Sequence, residues 1–271
     1  MKKISNKQIQ VFQSKIFDWW VDHKRDLPWR DTHDPYYIFV SEMMLQQTQV
    51  SRVIEKYQYF IRKYPLITDI AMVSLGDVIK EWQGLGYNRR AKYLKETCTK
   101  VVHSYNGIFP KDEDILCTLP GVGTYTARAI MVFSYKIDIA MIDTNIRQII
   151  THYFYDNKLQ KESDIQNVAE QILPIGKSWE WHQALMDFSA QNSFSIQKNV
   201  SKKSMPFKNT KRFYRGRIID RLRKGKCKEK VLSKEYSKLY TKTKKYHMQI
   251  IEDLEHEGLI KRSSNGIISL P

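Results

Sequence analysis

The sequence predicts an all-α protein with a small, basic, winged-helix-like module at its C-terminal end. Three observations point there: apolar residues recur at helical spacing through the first half, strand-like alternation is scarce there, and the surplus positive charge is gathered near the C-terminus. Ile9, Phe12, Ile16, Trp19 and Trp20 trace one amphipathic face, and Val53, Tyr57, Phe60 and Ile61 another. Stops fall at Tyr64-Pro65, at Gly84 to Gly86, at Asn106-Gly107 and at Leu119-Pro120-Gly121, which leaves connections short enough for a compact helical domain over residues 1–200. The stretch from Gln191 to Thr210, QNSFSIQKNVSKKSMPFKNT, loses the apolar rhythm and reads as a linker, set at 201–210, or as a phosphate-facing loop. In 211–271, Ile218, Ile219 and Leu222 suit one helix and Met248, Ile250, Ile251 and Leu254 a second, which Gly258 caps. Two short apolar runs around Ser264-Asn265-Gly266 then signal a hairpin. Helices followed by a hairpin suit a winged-helix-like DNA-binding module, or else a basic tail folded against the main domain.

The net charge of the 271 residues is +16, and Lys198 to Pro271 holds 21 lysines and arginines against 7 aspartates and glutamates. The remainder is close to neutral. Such a balance favours a polyanionic partner, because each phosphate neutralised by Lys or Arg releases a condensed counterion. Cys98, Cys117 and Cys227 are too widely separated for the close spacings of a metal or cluster site and read as unlinked thiols in a reducing compartment. The basic start MKKISNKQIQVFQSK has no apolar core, and no later stretch is long and apolar enough to span a bilayer, so a cytoplasmic protein is expected.

The strongest local signal is LPGVGTYTARAI, Leu119 to Ile130. Gly121 and Gly123 permit a tight turn directly before a helix, and the unpaired amides at that helix start suit a phosphate oxygen, bound directly or through a monovalent cation. A simple helix–helix turn would read the same way. In AMIDTNIRQII, Asp143 closes one apolar run and opens a helix, as an N-cap does. In PYYIFVSEMMLQQTQV, Glu42 lies inside an apolar stretch, at a cost unless it is paired, solvated in a cleft or protonated. Two such carboxylates beside a phosphate-type hairpin suit a reaction that needs one acid and one anion.

Six segments, LPWR (27–30), SEMMLQQTQV (41–50), WQGLGYNRRAKYL (82–94), LPGVGTYTARAI (119–130), IDTNIRQI (142–149) and ALMDFSA (184–190), resemble in order the catalytic domain of A/G-mismatch adenine DNA glycosylases. The resemblance implies the helix-hairpin-helix glycosylase superfamily, with two helical subdomains and an active site in the cleft between them. By position, Glu42 then matches the acid that protonates adenine N7, Asp143 the carboxylate that stabilises positive charge at the sugar C1′, and Tyr125 the tyrosine that positions both. Bifunctional relatives carry a lysine where Tyr125 stands, so the resemblance implies a glycosylase without strong lyase activity. Gln47 and Tyr87 match residues that wedge into the base stack, and Thr48 lies beside the base left behind. Arg25, Trp29, Arg30 and Asp187 match the pocket around the flipped base, and Leu119, Gly121, Val122 and Gly123 form the phosphate-binding hairpin.

Two departures accompany the resemblance. The family's four cluster-binding cysteines follow ALMDFSA, whereas QNSFSIQKNVSKKSMPF has none, so no iron–sulfur cluster is expected and no other cofactor beyond a monovalent cation at the hairpin. The family's NUDIX-like domain, which senses 8-oxoguanine, is not recognisable in Lys211 to Pro271. The expectation is a monomeric, monofunctional adenine glycosylase acting on double-stranded DNA with a mismatched or damaged base, opposite guanine or 8-oxoguanine. The alternatives are a thymine or uracil mismatch glycosylase and a non-catalytic DNA-binding protein on the same scaffold. LQQTQV favours adenine, and joint retention of Glu42, Tyr125 and Asp143 favours catalysis.

Overall fold

The computed structural model describes residues 2–192, 194, 206–239 and 243–271. Fourteen α-helices lie among them: α1 (Asn6–His23), α2 (Pro35–Leu45), α3 (Val50–Lys63), α4 (Ile67–Met72), α5 (Leu75–Glu81), α6 (Arg89–Tyr105), α7 (Glu113–Cys117), α8 (Thr124–Tyr135), α9 (Thr144–Tyr155), α10 (Glu162–Gln171), α11 (Ser178–Gln191), α12 (Lys211–Arg223), α13 (Glu229–Leu239) and α14 (Lys244–His256). Strands β1 (Cys227–Lys228), β2 (Lys261–Arg262) and β3 (Ile267–Ser269) complete the described elements. The chain forms two compact units, residues 1–42 with 109–202 and residues 43–108 with 203–271, and the division falls inside α2 between Glu42 and Met43.

In the first unit, Ser5 and Gln8 close a capping box that starts α1, and Phe12 and Ile16 turn inward from it. They join Ile146, Ile149, Ile150 and Phe154 of α9, Ile165 and Val168 of α10, and Trp181, Ala184, Leu185 and Phe188 of α11 in one core. The ring of Phe12 meets Phe154 and Trp181 edge-on, with centroids 5.0 and 5.8 Å away. A smaller cluster of Ile38, Ala129, Val132, Phe133 and Met141 packs α2 and α8 against the segment that leads into α9.

In the second unit, Val53, Tyr57 and Phe60 of α3 are buried, as their spacing requires, and α4 and α5 pack on α6. Residues 211–271 run helix, strand, helix, helix, strand, strand, with the sheet in the order β1-β3-β2 and both pairings antiparallel. The Ser264-Asn265-Gly266 turn sits between β2 and β3, with Gly266 at φ +71°, and Gly258 ends α14 at φ +70°. Met248 departs from its expected place on the apolar face of α14 and is 37% exposed, while His247 is buried there instead.

The C-terminal residues share a compact unit with 43–108. The physical reason is a set of specific ties. Gly76 donates its amide to the Pro271 carbonyl at 2.9 Å, and a side chain there would start 2.4 Å from that oxygen, so the approach needs glycine. Arg223 donates to the Ile79 carbonyl and to the Asn88 side chain, and Arg89 pairs with Glu257. Of the expected linker, 201–205 lie outside the described residues, and 207–209 form a single 3-10 turn.

Candidate active site

Glu42 lies near the C-terminal end of α2, whose sequence PYYIFVSEMML is apolar except for Ser41 and itself, and is 6% exposed. Tyr125 is in the first turn of α8, and its side chain is hydrogen-bonded to Glu42. Asp143 is the N-cap of α9: one carboxylate oxygen accepts the Ile146 amide at 2.7 Å and the other accepts Asn145 Nδ2 at 2.9 Å. The capping geometry fixes the carboxylate, and no salt bridge among the described residues involves it. Helix α9 also presents its positive end to that anion. All three residues belong to the first unit.

Their electrostatics separate two roles. Burial pushes the Glu42 carboxyl from 4.5 up to about 7, against the Tyr125 hydrogen bond and with the help of the Asp143 charge. Asp143 is raised as well, by burial, but three backbone amides and the Asn145 side chain favour its ionised form. Burial and the two carboxylates hold the Tyr125 hydroxyl firmly protonated. Of the pair, Glu42 keeps its proton near neutrality and Asp143 has the donors that support an anion.

The segment before Asp143 is clamped from three helices. Arg128 of α8 donates to the Ala140 carbonyl at 2.8 Å, and Gln166 of α10 reaches the same oxygen at 3.3 Å. His182 of α11 accepts the Met141 amide at 3.1 Å while its other nitrogen donates to the Ser178 carbonyl at 2.7 Å. Burial lowers His182 to about 4, so the neutral ring that this donor–acceptor pattern needs is the stable one.

At the hairpin, Leu119 and Val122 are buried, Gly121 takes φ +75°, and the Val122 amide returns to the Leu119 carbonyl at 3.1 Å. Gly123 is the N-cap of α8 and supplies no side-chain acceptor, which leaves the helix start open to an anion.

Three of the residues matched to a base pocket, Arg25, Arg30 and Asp187, meet in one ion cluster. Asp187 is fully buried and accepts both terminal nitrogens of Arg30 at 2.8 Å, Arg25 Nε at 2.5 Å, the Arg25 amide at 3.1 Å and Trp20 Nε1 at 2.8 Å. Burial alone would raise its carboxyl, but Arg30 and Arg25 bring it below the usual aspartate value. Its acceptor capacity is spent on these partners. Trp29 is 6% exposed. Arg25, Arg30 and Asp187 therefore brace the α1–α2 connection against α11, and Trp20 is a member that the sequence did not signal.

In the second unit, Gln47 and Tyr87 both take left-handed backbone conformations, φ +53° and +46°, which are uncommon for non-glycine residues and costly. Arg90 is buried and holds the two turns together. It donates to the carbonyls of Met43, Met44 and Gln46 on one side and of Leu85 and Gly86 on the other, and to the Thr48 hydroxyl. Burial lowers its guanidinium to about 10. Arg90 is thus an internal brace, whereas Arg89 faces Glu257.

Residues 40–175 match the HhH-GPD superfamily base excision DNA repair protein family. The chain is 36% identical over 194 residues to a thymine/uracil-DNA glycosylase of Methanothermobacter thermautotrophicus, a match spanning 70% of this chain and 88% of that protein. It is 31% identical over 260 residues to an adenine DNA glycosylase of Buchnera aphidicola, spanning 95% of this chain and 71% of that protein. Matches to mycobacterial adenine DNA glycosylases cover about half of those proteins. A solved thermostable thymine-DNA glycosylase superposes with a TM-score of 0.64 at 34% identity, over 69% of this chain and 88% of that one. The fold and these relatives define a base-excision enzyme that acts on N-glycosyl bonds. The chain belongs to the HhH-GPD superfamily of base excision DNA repair proteins, and within it to the DNA glycosylases.

Proposed function

We propose that the protein is a monofunctional glycosylase that removes adenine mispaired with guanine or 8-oxoguanine in double-stranded DNA. The observation that carries this reading is the buried Glu42, hydrogen-bonded to Tyr125 and raised to about 7, in the same unit as the helix-capping Asp143. A proton on Glu42 passes to adenine N7 and makes the base a competent leaving group; the C1′–N9 bond breaks, and Asp143 stabilises the positive charge on the sugar until water adds. Tyr125 orients Glu42 and, having no amine, forms no Schiff base. The α8 hairpin holds a phosphate, directly or through a monovalent cation. Gln47 and Tyr87 fill the gap left by the extruded nucleotide, with Thr48 beside the opposite base. Residues 211–271 act as a winged-helix-like module that adds phosphate contacts through Lys224, Lys226, Lys228 and Lys230, all exposed. The LQQTQV segment and the match to an adenine enzyme along nearly the whole chain support adenine as the base.

An iron–sulfur cluster does not fit this chain. The sequence contains three cysteines, one fewer than a four-thiolate cluster needs. Because Tyr125 stands where a Schiff-base lysine would have to be, borohydride is expected to trap little protein on DNA, and strands should break only after alkali.

Duplexes carrying A:G, A:8-oxoguanine, T:G and U:G, assayed for alkali-labile sites, test the base assignment. Adenine release from the first two is the expected result; release of thymine or uracil with adenine left in place overturns it and selects the activity named for the archaeal relative. The rate should also fall as pH rises. Because Glu42 acts as the protonated acid with a value near 7, single-turnover excision should lose about tenfold per pH unit well above 7. A flat profile from pH 6 to 9 would remove Glu42 from the proton-donor role.

A further inference from the structure

The arginines of α12 are mostly committed to acidic partners inside the second unit. Arg215 pairs with Glu257, Arg217 and Arg223 with Asp220, and Arg221 with Glu235. Arg212 is different. It is exposed, and no carboxylate among the described residues pairs with it; its guanidinium lies 3.6 Å from the centroid of the Tyr87 ring and donates to the Tyr87 hydroxyl. The exposed Phe207 ring flanks the same guanidinium at 5.4 Å, and Arg90 approaches the Tyr87 ring at 5.6 Å. Aromatic rings and guanidinium groups thus alternate from Phe207 through Arg212 and Tyr87 to Arg90.

Tyr87 follows Gly86 in a left-handed turn whose carbonyls at Leu85 and Gly86 are held by Arg90, so its backbone is set from within residues 43–108. Its side chain is set by a residue 125 positions later. A ring that must enter a base stack loses less freedom on insertion when it is already ordered, and a planar cation on its face together with a donor on its hydroxyl orders it. We propose that Arg212 is a positioning residue for Tyr87, through which the C-terminal residues take part in nucleotide extrusion rather than only in holding DNA. The inference rests on the reading of Tyr87 as a wedge.

The full-length protein, its Arg212→Ala, Arg212→Lys and Tyr87→Ala variants and the Tyr87→Ala/Arg212→Ala double variant should be compared on a duplex with 2-aminopurine next to the mispaired adenine. Fluorescence reports unstacking, single-turnover rates report excision, and affinity for a fully paired duplex reports general binding. Arg212→Ala is expected to lower extrusion and excision roughly tenfold while leaving paired-duplex affinity within about twofold. Arg212→Lys should fail to restore them, because lysine keeps the charge but loses the planar stack. In the double variant, loss of Arg212 should add nothing to loss of Tyr87. Recovery by lysine, an equal fall in paired-duplex affinity, or independent multiplication of the two effects would overturn the proposal and leave Arg212 a phosphate anchor. A wild-type protein that unstacks the duplex without releasing any base would sink the excision reading alone, and the fluorescence comparison would still decide Arg212. No unstacking by the wild type would overturn the wedge and this inference together.

Discussion

Glu42→Gln and Asp143→Asn are each expected to reduce single-turnover excision by about a thousandfold, because a positioned acid and a preorganised charge each supply an effect of that order. Both replacements keep shape and hydrogen-bonding capacity, so affinity for a mismatched duplex should change by only a few-fold. Stability should not follow activity. Glu42 is raised on folding, so its contribution to stability is full below the ordinary value near 4.5 and is lost as pH rises through about 7; glutamine, with no charge to bury, should leave the protein at least as stable at pH 8. Asparagine caps helices as well as aspartate does, so α9 should keep its start in Asp143→Asn. Thermal midpoints beside the rates separate the outcomes: near-normal turnover in either variant overturns its assigned role, and a parallel loss of stability would make the residue structural.

These residues were legible because their chemistry is written locally. A glutamate inside an apolar run, an aspartate at a helix boundary and a glycine-containing turn before a helix each contradict their surroundings within a few positions, and the structure keeps all three features where they were expected. The Asp143 carboxylate is held by the capping bond itself. What could not be read is what depends on distant partners. Asp187 meets Arg30 and Trp20 across 157 and 167 positions; the resemblance groups Arg30 with Asp187, but nothing near them announces their ion pairing or the place of Trp20. The left-handed turn at Gln47 has no glycine to mark it, and Arg90 supplies from α6 the bonds that offset the strain.

The charge of the C-terminal residues shows the same limit. Its total was evident from composition, and an electrostatic anchor was the natural reading. In the structure, several arginines neutralise local acids, Arg212 is stacked on Tyr87, and Lys224, Lys226, Lys228 and Lys230 remain exposed. Deleting 211–271 would also remove the Arg223 and Pro271 ties to residues 76–88. Substituting the exposed lysines is the cleaner test of phosphate binding.

Asp187→Asn is expected to cost about 3–5 kcal/mol of stability, the usual loss when one partner of a buried ion cluster is removed, because Arg30 is left buried without its counter-charge. The wild-type cluster should also survive acid. Asp187 lies below the ordinary aspartate value in the folded protein, so its contribution is present above the unfolded value near 4 and is lost only as pH falls through the lower folded one. Denaturation midpoints from pH 3 to 8 measure both. The same variant decides between the two roles open to Asp187, since a carboxylate that recognises the base directly would make the substitution slow excision in molecules that remain folded. The closed bonding of Asp187 to Arg30, Arg25 and Trp20 leads to the opposite result: at low temperature, where the variant is still folded, its single-turnover rate should stay within a few-fold of wild type. A rate loss of a hundredfold with an unchanged midpoint would show that the carboxylate faces the flipped base and that the ion cluster rearranges when DNA binds.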